Sequence, residues 1–194
     1  MPFSIFPAPP VKESEIYRYM RTAPTAAIKE LVQELFEEVS PLLRFGVAYE
    51  KFPIRFFDES GDNGLIDLCF AKVYSKDLYK NLCGAKEIML FAATIGVGMD
   101  RLIARYSALS PSKALALEAI GDERVESLCD YYNGLVADEY KVNAPRFSAG
   151  YGDLDLSLQK DIFKALPCAN IGLTLNDSLL MSPSKSVTAI IGLK

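Results

Sequence analysis

The sequence predicts an α+β domain in which long helices pack on a mainly antiparallel sheet. Apolar residues recur at helical spacing in the first third and in the middle of the chain, and short strand-like runs come in neighbouring groups separated by turn residues. Strands and helices do not alternate regularly, as a doubly wound parallel sheet would require. With 194 residues, 50% of them apolar, the chain can bury one substantial core, so residues 1–194 are expected to form a single domain.

The chain opens with an arm, residues 1–11, in which Pro2, Pro7, Pro9 and Pro10 favour extended backbone. KESEIYRYM, from Lys12 to Met20, is a short helical candidate, and TAPTAAIKELVQELFEEVSPLL is a longer one. Thr22 or Thr25 can cap the second helix; Ile28, Leu31, Val32, Leu35, Phe36 and Val39 form its apolar stripe, and Ser40-Pro41 ends it. RFGVAYEKFPIRFF reads as a strand interrupted at Pro53, with LIDLCFAKVY as its antiparallel partner across the turn ESGDNG.

Ser75 can cap the helix KDLYKNLC, closed by Gly84, and EIMLFAATI reads as a fully buried strand because it is apolar without alternation. Gly96-Val97-Gly98 precedes the helix MDRLIARYSAL, but it lacks the third glycine and the basic residue that a phosphate-binding turn would use. Ser110-Pro111 begins the longest helix, on which Leu117, Gly121, Val125, Leu128, Tyr132 and Leu135 make a buried stripe and Gly121 marks a close contact. Glu118, Asp122, Glu126 and Asp130 fall four apart on the same helix. That like-charge ridge is unfavourable in isolation and calls for solvent, a cationic ligand or Arg146 to offset it. DLSLQKDIFKAL adds a last helix, and IGLTLNDSLLMSPSKSVTAIIGLK two or three short strands with SPSKS as a hairpin turn.

Composition excludes several functions. A formal charge of -4 and a pI near 5.0 argue against nucleic acid and anionic membrane. No run approaches the roughly 20 apolar residues of a membrane span, and the beginning of the chain has neither a basic leader nor an apolar signal core, so a cytoplasmic location is expected. The chain has no histidine, which removes the Ser-His-Asp and Cys-His machineries and every His-containing metal site. Cys69, Cys83, Cys129 and Cys168 show no Cys-x-x-Cys pairing and read as buried free thiols. Neither a catalytic residue nor a metal site is expected.

One stretch points to a ligand. In RFSAGYGDLDLSLQKDIF, Arg146 and Tyr151 stand on either side of small residues that include Ser148 and Gly150. A turn needs neither a cation nor an aromatic. Arg146 offers a planar fork for a carboxylate, Tyr151 a ring for a cation or a base, and Gly150 and Gly152 let backbone approach closely. Ordinary alternatives are a surface ion pair, a core tyrosine and a glycine turn.

RFSAGYGDLDLSLQKDIF followed by IGLTLNDSLLMSPSKSVTAIIG resembles the activation domain of cobalamin-dependent methionine synthase, the module that binds S-adenosylmethionine. Arg146, Gly150 and Tyr151 match the spacing of that family's arginine and Gly-Tyr pair. EIMLFAATIG looks like its buried strand and glycine turn, and EAIGDERVESLCDYY like its long helix carrying a ligand-binding glutamate, here Glu126. The resemblance covers roughly residues 65–192 and is nearest to short, stand-alone relatives. The chain departs from the family at GDLD, residues 152–155, where the methionine synthase module has Pro-Ala-Cys-Pro.

The resemblance implies an activation-type fold and an S-adenosylmethionine site at Arg146, Ser148, Gly150, Tyr151 and Glu126. It implies reductive methylation of inert cob(II)alamin, with the chain acting in trans on a cobalamin-binding methionine synthase or related corrinoid protein and a flavodoxin-type donor supplying one electron. The chain would be an accessory of a methyltransferase in methionine biosynthesis, and cobalamin would come only from the partner. The alternatives are a non-catalytic adaptor or assembly protein for a corrinoid methyltransferase, which has lost the methyl donor at GDLD, and an S-adenosylmethionine sensor.

Overall fold

A computed structural model describes residues 2–57, 64–142 and 144–194. Among them the elements run β1 (Phe3–Ile5), α1 (Glu13–Met20), α2 (Ala26–Val39), β2 (Gly46–Pro53), β3 (Arg55–Phe57), β4 (Leu65–Asp67), β5 (Lys72–Tyr74), α3 (Lys76–Leu82), β6 (Glu87–Thr94), α4 (Val97–Leu109), α5 (Pro111–Glu139), α6 (Gln159–Ala165), β7 (Thr174–Leu175), β8 (Met181–Ser182) and β9 (Ser186–Leu193). The fold is α+β, as the periodicities predict.

The main sheet is antiparallel throughout, in the order β1-β2-β6-β9. Its register aligns Val47 with Ala93 and Phe91 with Ala189, and places Ala48 opposite Ala92 and Leu90 opposite Ile190. Because successive side chains point to opposite faces, the odd-numbered set packs under α1, α2, α4 and α5, and the even-numbered set under β4, α3 and α6. Both faces of β6 are therefore covered, which is why its sequence does not alternate.

The proline arm is held rather than free. β1 pairs with β2, aligning Phe3 with Ala48, and the carbonyls of Pro9 and Pro10 accept from Arg124 Nη1 at 2.8 Å and Nη2 at 2.9 Å. An extended arm outside a sheet leaves such carbonyls without partners, and a buried guanidinium fork supplies two donors at once. Arg124 is balanced by its neighbour Glu123, 2.6 Å away, and both are 1% exposed. Glu123 also accepts the Lys12 backbone N–H at 2.8 Å, which fixes the start of α1 against α5.

Several local expectations change. Of the two threonines before α2, Thr25 is the cap, accepting from the Ile28 N–H at 3.4 Å. LIDLCFAKVY is a hairpin of β4 and β5, not one strand. It turns at Cys69, where φ is +71° and the N–H donates to Asp67 Oδ1 at 2.9 Å. Only the end of RFGVAYEKFPIRFF has LIDLCFAKVY as its partner: β3 pairs with β4, whereas β2, which ends at Pro53, lies between β1 and β6 in a different sheet. Residues 59–63 of the ESGDNG turn lie outside the described residues.

SPSKS is not a hairpin turn either: β8 pairs with β7, and β9 joins the main sheet, so the segment links two sheets. On α5 the buried stripe drifts at its end, with Val136 buried and Leu135 exposed, as 3.6 residues per turn requires after Tyr132. Gly98 is needed for a chain crossing, since an added Cβ would lie 2.4 Å from the Leu42 carbonyl oxygen. Cys129 and Cys168 are buried, but Cys69 and Cys83 are exposed. No helix among the described residues is long and apolar enough to cross a membrane.

Candidate ligand site

The outer edge of β9 brings the two ends of the site together. Phe147 and Ile190 exchange backbone hydrogen bonds of 2.9 and 2.8 Å, and the Phe147 side chain enters the core on the even-numbered face. In extended chain the preceding residue faces the other way. Arg146 accordingly meets α5, where Nη1 donates to Asp130 Oδ1 at 2.7 Å and Nη2 to Glu126 Oε2. With its amide oxygen turned toward the guanidinium, Asn133 accepts from Nη1 at 2.7 Å as well.

The ridge on α5 is thus balanced within the chain. Burial works to raise the pKa of Asp130, but the Lys12 ammonium, 2.7 Å away, and Arg146 outweigh it and hold the carboxyl below its usual range. At the other end Lys185 reaches in from the linker before β9, its Nζ 2.6 Å from both Glu118 and Asp122. Burial opposes the charge on Lys185, and these two carboxylates more than offset it, raising its pKa. Gly121 makes room for the lysine stem, because an added Cβ would stand 2.9 Å from Lys185 Cε.

Ser148, Gly150 and Tyr151 form the turn that begins two residues beyond Arg146. The Ser148 carbonyl accepts the Tyr151 N–H at 3.1 Å, and the Gly150 N–H donates to Leu154 O at 2.9 Å. Gly150 has φ +83° and Gly152 φ +55°, where a side chain is strained. Tyr151 is no core residue: it is 69% exposed, with its ring edge-on to Phe147 at 5.5 Å.

GDLD has a structural role. Asp153 accepts from the Ser75 hydroxyl, from the Lys76 N–H at 2.8 Å and from the Asp77 N–H at 3.2 Å, so it caps α3 together with Ser75. The Ser75 hydrogen bond, followed by those backbone amides, lowers the Asp153 pKa. Asp155 accepts the Ser157 N–H at 2.7 Å and caps the 3₁₀ turn Leu156–Leu158.

Glu126 lines two concavities, of about 360 and 510 Å³, and Tyr19 of α1 lines both. The structure therefore joins Arg146 to Glu126 directly and places the glycine turn next along the chain. It adds Asp130, Lys12, Lys185 and Tyr19, which sequence reasoning did not assign to the site. Asp130 could have been found from its spacing of four from Glu126. The others approach α5 from far along the chain, at separations of 118 residues for Lys12–Asp130 and 63 for Lys185–Asp122. A guanidinium and a carboxylate in contact can open to take a zwitterion, exchanging one ion pair for two.

Fold and site define an α+β domain with an Arg–Glu pair between its longest helix and the edge of its sheet, next to a glycine turn. No protein-family model matches the chain, and neither does any curated protein. Among solved structures, the crystal structure of the MetH reactivation domain bound to AdoHcy matches with a TM-score of 0.67, covering 98% of this chain and 77% of that one. At 15% identity the likeness establishes the fold: this chain has the fold of that reactivation domain.

Proposed function

We propose that the chain binds S-adenosylmethionine and acts as an activation-type module, presenting the sulfonium methyl to a reduced corrinoid carried by a partner. The observation that carries this reading is the Arg146–Glu126 contact beside the Ser148–Tyr151 turn. The amino-acid end of the ligand supplies a carboxylate for the Arg146 fork and an ammonium for Glu126. The glycines admit its backbone-like portion, and the exposed ring of Tyr151 covers it. AdoHcy, bound in the structural neighbour, is the demethylated form of the same ligand.

Presenting a methyl group to a cobalt nucleophile calls for proximity and orientation and for no general base, in keeping with a chain that has no histidine. The partner is a cobalamin-binding methionine synthase or a related corrinoid protein on which the chain acts in trans, with a flavodoxin-type donor supplying the electron. A synthase preparation arrested as cob(II)alamin, mixed with this chain, S-adenosylmethionine and reduced donor, is expected to regain activity. No recovery from a chain that binds the ligand would leave the sensor role instead.

A specific observation favours a second reading, the non-catalytic adaptor. Both terminal nitrogens of Arg146 are already engaged by Asp130 and Glu126, so the fork is satisfied without a ligand. Calorimetric titration separates the two readings, because an adaptor gives no saturable heat with S-adenosylmethionine.

A further inference from the structure

The two carboxylates that hold Arg146 are themselves held differently. Asp130 accepts from Arg146 Nη1 on Oδ1 at 2.7 Å and from Lys12 Nζ on Oδ2 at 2.7 Å, so each of its oxygens has its own cation. Glu126 meets Nη2 and, among the described residues, ion-pairs with Arg146 alone. The first contact is braced from outside, and the second is not.

Lys12 reaches Asp130 from 118 residues away, directly after the proline arm. Its place does not depend on its own ammonium, because Glu123 accepts its backbone N–H at 2.8 Å and Arg124 holds the carbonyls of Pro9 and Pro10. The arm thus delivers a cation to the carboxylate beside Arg146.

We propose that Lys12 is a positioning residue for the amino-acid end of the ligand, acting through Asp130 and touching no ligand itself. The inference rests on the S-adenosylmethionine reading above. A carboxylate with both oxygens available can take a guanidinium by two parallel hydrogen bonds, the same geometry that the ligand carboxylate needs. By occupying Oδ2, Lys12 limits Asp130 to a single contact at Nη1, which orients the guanidinium without closing it. Nη2 is then shared with Glu126 alone, and exchange of Glu126 for the zwitterion opens the site. Without Lys12, Asp130 is free to turn both oxygens on Arg146 and compete with the ligand.

The test is calorimetric titration of S-adenosylmethionine into the full chain, Lys12→Ala, Lys12→Arg, Asp130→Asn, Arg146→Ala and the double variant Lys12→Ala/Asp130→Asn. The side chains of Lys12 and Asp130 are 55% and 45% exposed, so Lys12→Ala is expected to weaken binding by only about 3- to 10-fold. Lys12→Arg, which keeps a cation at Asp130, stays within about twofold. In the Asp130→Asn background no carboxylate remains to be restrained, and Lys12→Ala then changes the affinity by less than about twofold, a rescue that a merely structural lysine would not give. If Lys12→Ala lowers the melting temperature, Lys12→Gln, which keeps the stem, decides. An equal loss from Lys12→Ala in both backgrounds overturns this inference, as does unchanged binding by Lys12→Ala where Arg146→Ala has lost it. Abolished binding in Asp130→Asn overturns it too, because Asp130 would then be a ligand contact. Absence of binding by the unaltered chain overturns both this inference and the reading on which it rests.

Discussion

Replacing Gly121 with alanine tests how the acidic ridge of α5 is neutralised. The new Cβ would stand 2.9 Å from Lys185 Cε, 3.0 Å from Cγ and 3.1 Å from Cδ, closer than carbon atoms pack. A free lysine would swing away, but this one is 9% exposed, with its ammonium 2.6 Å from two carboxylates. Overpacking of this kind costs about 1–3 kcal/mol, while alanine is favoured over glycine in a helix by about 1 kcal/mol. The expected net is a loss of about 0–2 kcal/mol, or up to roughly 8 °C in Tm for a chain of this size. In a Lys185→Ala background the obstruction is gone, and Gly121→Ala should stabilise by up to about 1 kcal/mol. The double-mutant cycle should then show a coupling of about 1–3 kcal/mol. Urea and thermal unfolding followed by circular dichroism measure all four chains. Equal stabilisation by Gly121→Ala in both backgrounds would refute the argument, since the lysine stem could not then be fixed against Gly121.

Asp153→Asn should expose the Lys76 and Asp77 amides to faster hydrogen exchange. It should also flatten the acid limb of stability: a carboxyl with a lowered folded pKa contributes stability that is present above its unfolded pKa and lost as pH falls through the folded value. Unchanged exchange and an unchanged acid limb would remove Asp153 from the α3 cap. Thiol titration with an aromatic disulfide reagent should modify Cys69 and Cys83 in the native chain and all four cysteines after denaturation. Burial pushes both Cys129 and Cys168 up to about 12, so rapid native modification of either would contradict their placement.

Much of the fold could be read from local pattern. The stripe on α2, the unalternating run of β6 and the Pro111 start of α5 each follow from spacing within one element, and the structure has all three. LIDLCFAKVY was misleading because its turn uses the Asp67 side chain and a left-handed Cys69 where sequence reading looks for glycine. SPSKS has the composition of a hairpin turn, and only the pairing of its flanking strands shows that it joins two sheets.

The site divides in the same way. Arg146, Gly150 and Tyr151 fall within one short stretch, and Glu126 lies on a ridge whose like charges signalled a missing cation. The cations that answer it, Lys12 and Lys185, are brought in by the arm and by the linker before β9, and no local pattern encodes those approaches. Asp153 looked like a departure from a ligand loop because the amides it caps are 77 and 76 residues away in sequence.

Titration of S-adenosylmethionine into the unaltered chain, Arg146→Ala and Arg146→Lys, each checked for an unchanged melting temperature, tests the central claim most directly. Losing one member of a desolvated charge pair costs about 2–5 kcal/mol, so Arg146→Ala should weaken binding about 30-fold to several thousand-fold. Arg146→Lys should fall between the two, because an ammonium keeps the charge without the two-pronged geometry. Saturable binding with that ranking is the predicted result. A flat titration of the unaltered chain, or equal binding by Arg146→Ala, would contradict the account and leave Arg146 as an internal partner of Glu126 and Asp130.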